Sequence, residues 1–156
     1  MAVKPIPEGY SSITPYLYVR NTAEAIAFYA KAFGATELMR LPMPDGSTGH
    51  AEMKVGNAIV MMADENPAWG NKSPQTLSGT SVGICFYTEN VDAVFATAVA
   101  AGAAVLRPVA DQFYGDRSGT VVDPYGHQWT IATHTEDLMP VEIQMRMDAC
   151  MKSQAG

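Results

Sequence analysis

Three histidines, two cysteines and a set of tyrosines carry most of the chemistry this chain could do. His50 and Glu52 stand two apart in the alternating run 49–55, so both side chains fall on one face of a strand. An imidazole and a carboxylate side by side are donors that a divalent metal accepts. Lys54 continues the same row, as a solvated strand face would. His127 follows a turn glycine and reads as a turn or supporting residue. His134 ends the last strand and reads as exposed. Nothing in the sequence sets Cys85 beside a base, so no Cys–His or Ser–His–Asp pairing arises. Tyr16 and Tyr18 alternate with Leu17 and Val19, with Thr14 in the tyrosine row. Cys85 with Tyr87, and Gln128 with Thr130, repeat the pattern in later strands. Rings interleaved with a few polar donors suit a small-molecule cleft. They would equally fill the space between sheets, each hydroxyl finding a partner. Trp69, in a polar linker, suits a lid over a ligand or an anchor for the linker. Tyr114, Asp116 and Arg117 enter a strand from a glycine turn. Arg117 could clamp an anionic group or pair on the surface with Asp116.

The elements that must position these groups come twice. Alternation predicts a strand over 12–19, with Ile13, Leu17 and Val19 on the core face. Asn21 with Glu24 signals a helix start. Ile26, Tyr29, Ala30 and Phe33 then follow helical spacing, and Gly34 ends the helix. Strands follow over 36–41, 49–55 and 58–63. The order repeats with a strand over 81–88 and a helix capped by Asn90 and ended by Gly102. Strands over 105–109, 119–123 and 127–133 complete it. Between the halves, 65–79 is a linker rich in Asn, Pro, Gly and Ser. The tail, 135–156, predicts a C-terminal helix packed on the body. Each βαβββ unit has one helix for four strands, so one sheet face is left for a partner: the other unit or a second chain.

The closing hairpin carries a resemblance. Tyr114-Gly115-Asp116-Arg117-Ser118-Gly119 precedes the turn Asp123-Pro124-Tyr125-Gly126 and the strand His127-Gln128-Trp129. This pattern, closing a chain of strand–helix units, resembles the vicinal oxygen chelate superfamily, the glyoxalase, bleomycin-resistance and extradiol dioxygenase group, in its glyoxalase-like branch. The resemblance covers about 10–134. It implies an α+β fold in which two βαβββ modules, about 10–64 and about 80–134, carry curved mixed sheets enclosing a cleft. The superfamily's metal enzymes draw a ligand from the first and last strand of each module. The matching positions here are Thr14, Met61, Gly83 and Thr130, and none supplies the nitrogen, carboxylate or thiolate such a site needs. The resemblance is weak for activity, since many chemistries share this scaffold.

Bulk properties narrow the classes. With 156 residues, 47% hydrophobic and 17% charged, the chain can bury one substantial core. A net charge of −6 with no basic stripe argues against nucleic acid. The apolar run 98–106 is too short to span a bilayer, so no membrane partner is expected. Residues 1–9 lack an apolar export signal, and two cysteines form no framework, which fits the cytoplasm. The expectation is a metal-free protein without a cofactor that holds an aromatic or amphipathic molecule between its sheets as a homodimer. Its ligand face would comprise Thr14, Tyr16, Tyr18, His50, Glu52, Met61, Trp69, Tyr87, Tyr114, Arg117, Gln128 and Thr130. The alternative is a lyase or isomerase with one divalent metal ion displaced to His50 and Glu52. Whether the chain is an enzyme stays open at this point.

Overall fold

A computed structural model describes residues 3–154, so both ends of the lead-in and tail extend past the described part. The first unit comprises β1 (Tyr16–Val19), α1 (Thr22–Phe33), β2 (Thr36–Pro42), β3 (Thr48–Val55) and β4 (Ala58–Asp64). The linker holds a single 3-10 turn, Pro67–Trp69, and the short α2 (Pro74–Leu77). The second unit comprises β5 (Gly83–Tyr87), α3 (Val91–Ala101), β6 (Ala104–Asp111), β7 (Asp116–Val122) and β8 (Gln128–His134). Then comes α4 (Pro140–Gln154). The two four-stranded sheets are equivalent, ordered β1-β4-β3-β2 and β5-β8-β7-β6. In each, the strand before the helix runs parallel to the last strand, and the other pairs are antiparallel. This is the α+β fold of two βαβββ units.

The helices start and stop where their sequence signals stand. The Asn21 side chain accepts the Glu24 amide at 3.2 Å, and that of Asn90 accepts the Ala93 amide at 3.0 Å. Gly34 closes α1 at φ 66°, a conformation that penalises any Cβ. The helices α1 and α3 pack on each other, and one core runs through both units. Phe33 of α1 lies 5.7 Å from Phe86 and 4.7 Å from Trp129, ring centroid to centroid. Asp123, which opens the hairpin turn, joins the units. Its buried carboxylate accepts the Tyr29 hydroxyl at 2.5 Å, the Trp129 indole N–H at 2.9 Å and the Tyr125 and His127 amides at 2.9 Å.

Three elements differ from the sequence reading. β1 begins at Tyr16 rather than residue 12, and Ile13 is 85% exposed instead of facing the core. Pro15 has no N–H for the ladder, and the Ser11 hydroxyl ties the preceding loop to the Ile13 carbonyl at 2.7 Å. β7 starts at Asp116, three residues earlier than expected, because its pairing with β8 runs out to His134. α4 forms but barely touches the body. Val141, Met145 and Met151 are 64%, 67% and 64% exposed, and the Arg146–Glu136 ion pair at 2.7 Å holds the helix to its own tether. The mixed apolar periodicity of the tail reflects a helix with no buried face in the single chain.

Candidate functional site

Alternation sorts the sheet residues as the sequence implied. In β1, Leu17 and Val19 are buried towards α1, and Tyr16 and Tyr18 stand on the helix-free face. In β8, Trp129 and Ile131 enter the core while Gln128 and Thr130 face away. The helix-free faces of both sheets are therefore uncovered in one chain, apart from the segment before β1.

On the first sheet the polar groups form a hydrogen-bonded chain. The Tyr16 hydroxyl lies 2.8 Å from His50 Nδ1, and His50 Nε2 lies 3.1 Å from Glu52 Oε1. The Tyr10 hydroxyl donates to Glu52 Oε2. Glu52 is only 8% exposed, because Tyr10 in the lead-in closes over it. The Tyr10 hydrogen bond, aided by His50, holds the Glu52 carboxyl below its ordinary range despite burial. The Tyr16 phenol is pushed up, by burial first and then by Tyr18 and Glu52. Tyr16 and Tyr18 stack at 5.1 Å and 29°. Met61 sits beside both Tyr16 and Glu52 in register, and Thr14 lines the same small hollow as Met61 and Tyr10.

The second sheet carries a related network. Tyr87 donates to Asp116 at 2.7 Å, and His134 Nδ1 lies 2.7 Å from the other Asp116 oxygen. His134 Nε2 meets Asp137 at 2.9 Å. The Asp116 and Asp137 carboxylates raise the affinity of His134 for its proton. Asp116 and burial push the Tyr87 phenol up to about 12. Partial desolvation at the rim of a cavity, then Asp116, pushes the thiol of the exposed Cys85 up, so its thiolate is disfavoured. Thr120 and Thr130 share a hydrogen bond at 3.1 Å, and Tyr114 meets the Ser118 hydroxyl at 3.2 Å. Gln128 stands at the start of β8, opposite Gly83.

Two cavities adjoin β1. One, about 750 Å³, opens between the unpaired edges of β1 and β5 and is lined by Tyr16, Tyr18, Leu77, Val82, Ile84 and Lys72 among others. The second, about 470 Å³, lies on the other side of the same tyrosines, against Asp45, Asp64 and Trp69. Trp69 is 75% exposed at the rim of this hollow. His127 borders the larger cavity and its Nε2 lies 3.2 Å from the Tyr18 carbonyl. Burial lowers its affinity for a proton, so it stands neutral as a bridge between the units.

Arg117 is a correction. It does not pair with Asp116, which faces the other way on β7. Its guanidinium takes Asp92 of α3 in two bonds at 2.8 Å and Asp111 at 3.1 Å. That removes it from the helix-free face and leaves no free fork for an anion. Several residues of the networks escaped the sequence reading, Tyr10, Asp116 and Asp137 among them. Tyr10 stood outside every periodic run, and only its position at the start of the first module hinted at it. Asp116 was read as a surface partner for Arg117, and the earlier start of β7 turns it to the Tyr87 side.

The superfamily's metal positions do not fit a metal. Thr14 is tied to the Ser11 carbonyl at 3.5 Å, Gly83 has no side chain, and Thr130 is bonded to Thr120. Met61 offers only a thioether. Both His50 nitrogens already have partners. Among the described residues, no group of three or more His, Cys, Asp and Glu side chains is arranged to hold a metal ion.

Comparison with known proteins gives a consistent picture. A protein of Mycobacterium tuberculosis (strain ATCC 25618 / H37Rv), itself uncharacterised, is 42% identical over 141 residues, covering 88% of this chain and 83% of its own. The crystal structure of TioX from Micromonospora sp. ML1 superposes with a TM-score of 0.63 at 27% identity, over 80% of this chain and 98% of TioX. Protein PA1353 from Pseudomonas aeruginosa, at 23% identity and a TM-score of 0.66, shares the fold over 81% of this chain and 99% of its own. The profile of the Glyoxalase/Bleomycin resistance protein/Dioxygenase superfamily matches residues 11–131. With its paired βαβββ units and a match over most of its length, the chain is a member of the glyoxalase/bleomycin resistance protein/dioxygenase superfamily.

Proposed function

We propose that the protein holds a small aromatic or amphipathic molecule without a metal or cofactor, at the β1–β5 junction. The observation that carries this reading is the cavity of about 750 Å³, a volume suited to a drug-sized ligand. Its walls are mainly apolar, and the stacked pair Tyr16–Tyr18 offers a ring face and two hydroxyls. The tyrosines line it without closing it, which supports a role in contact rather than filling. The absence of nitrogen, carboxylate or thiolate at Thr14, Met61, Gly83 and Thr130 supports the metal-free form.

The same reading extends to assembly and place. The uncovered sheet faces and the unpacked α4 leave apolar groups such as Leu41, Leu106 and Met145 exposed, which favours a homodimer with two-fold symmetry. Both Cys85 and Cys150 are free and exposed, which suits the reducing cytoplasm. No described helix is long and apolar enough to cross a membrane.

A thermal-shift screen against aromatic and amphipathic compounds tests the reading. Some ligand should raise the melting temperature of the parent, and Tyr18→Phe should reduce that shift while keeping its unliganded stability. A parent that no compound stabilises, combined with a steep loss of unliganded stability in Tyr18→Ala, would return the tyrosines to a packing role.

A further inference from the structure

The chain Glu52–His50–Tyr16 is left unused by a cleft that only holds its ligand. Its proton arrangement follows from the partners. Ionised Glu52 can only accept, so His50 Nε2 carries the hydrogen on that side. With its hydrogen on Nε2, His50 presents Nδ1 as the acceptor for the Tyr16 hydroxyl, 2.8 Å away. The phenol oxygen keeps a lone pair free, and Tyr16 lines the cavities on both sides of it. Glu52 is buried beneath Tyr10 with no Lys or Arg among its partners. A buried carboxylate without a fixed cation is costly unless fully hydrogen-bonded. Two donors meet that demand here, and the anion stays available to stabilise an imidazolium at His50.

We propose that Tyr16, His50 and Glu52 form a metal-free proton-transfer site acting on a small apolar ketone or aldehyde with an enolisable α-carbon. Tyr16 is the catalytic residue, and His50 and Glu52 position and charge-compensate it. The α-proton passes to the Tyr16 oxygen while the Tyr16 hydroxyl proton passes to His50 Nδ1. The imidazolium formed keeps its Nε2–H on Glu52, and the substrate becomes its enolate. Reversal returns a proton to the carbon or to the oxygen, so the net change is tautomerisation or α-hydrogen exchange, and no co-reactant is consumed. Lys72 makes no ion pair among the described residues and lines the same cavity, where its charge favours an enolate oxygen. The preference for a carbonyl attached to an apolar body comes from the remaining walls, Pro15, Leu77, Val82 and Ile84.

This inference rests on the ligand-holding reading of the cleft, and one experiment separates the two. The probe is phenylacetone in deuterated buffer, with α-deuterium incorporation followed by NMR and binding followed by line broadening of the same resonances. The parent should bind the probe and accelerate exchange saturably over buffer. Tyr16→Phe should lose about 10²-fold of that acceleration, the lower range for a general acid–base group. His50→Ala should lose a similar factor and recover part of it with added imidazole, which a merely structural role would not permit. Glu52→Gln should fall between parent and His50→Ala. Thermal melts establish that each variant is folded. Binding without acceleration, or undiminished exchange in folded Tyr16→Phe, overturns the proton-transfer site and leaves the cleft intact. Failure of the probe and of every screened compound to bind overturns both.

Discussion

Replacing Asp123 by Ala tests how the two units are held together. Its carboxylate receives the Tyr29 hydroxyl and the Trp129 indole N–H, and both side chains are almost completely buried. Truncation leaves these two donors without an acceptor, at about 1–3 kcal/mol each. The cost is therefore about 2–6 kcal/mol before the turn amides of Tyr125 and His127 are considered. At about 2–4 °C per kcal/mol for a chain of this size, the melting temperature should fall by roughly 4–24 °C. Asp123→Asn should cost less. Its amide oxygen can still serve the turn, and the Tyr29 hydroxyl can rotate to accept from the new NH₂, but the indole N–H cannot. The assay is urea unfolding followed by tryptophan fluorescence, with Tyr29→Phe as the partner in a double-mutant cycle. Tyr29→Phe should cost less in the Asp123→Ala background than in the parent, since the orphaned hydroxyl is removed. An Asp123→Ala variant within about 0.5 kcal/mol of the parent, the range of ordinary surface changes, would refute the reasoning.

Protein purified without a metal-affinity tag should contain no stoichiometric divalent ion; near one equivalent of zinc, nickel, manganese or iron by elemental analysis would count against the metal-free reading. His134 binds its proton more tightly in the folded state, so its contribution should be complete below its unfolded value, near 6.5, and fade as pH rises through the raised folded value. Stability of the parent relative to His134→Gln, measured from pH 5 to 9, should decline in that direction, and a rise would contradict the Asp116–His134 pairing. Glu65, held at about 2 by the Ser73 amide, Thr76 and Arg20, works the opposite way: its contribution is present above about 4.5 and lost as pH falls towards 2. Glu65→Gln should therefore loosen the linker and raise its proteolysis rate at pH 7, with little change at pH 2. Ending the chain at Met139 should leave unfolding nearly unchanged in urea titrations, because α4 barely touches the body and its Arg146–Glu136 tether is exposed.

Much of this architecture was legible because local signals agreed. Asn21, Asn90, Gly34 and Gly102 mark helix ends through backbone chemistry that tertiary context did not override. Alternation put Tyr16, Tyr18, Gln128 and Thr130 on the faces where they are found. Ile13 misled because Pro15 interrupts the ladder just before β1. Asp116 and Arg117 were paired as neighbours in sequence, yet adjacent residues of a strand point to opposite faces, and the start of β7 was fixed by His134 across the sheet. The Tyr10–Glu52 contact spans 42 residues and involves a segment without periodicity, so no local pattern could announce it. His50 and Glu52 were visible as a pair, but that both His50 nitrogens are occupied is a property of the folded sheet alone.

The core that runs through both units has a consequence for the history and handling of the chain. Repeated units are often imagined as separable, each able to live as its own small protein. Here α1 lends Phe33 and Tyr29 to the second unit, and the second returns Trp129 and Asp123. A cut between residues 65 and 79 would give halves that each expose a wide apolar face and an unmatched polar group. Such halves should be poor solitary folders but ready mates. Co-expressed, they should find one another and rebuild the whole, making the linker a natural place for a split-protein reporter.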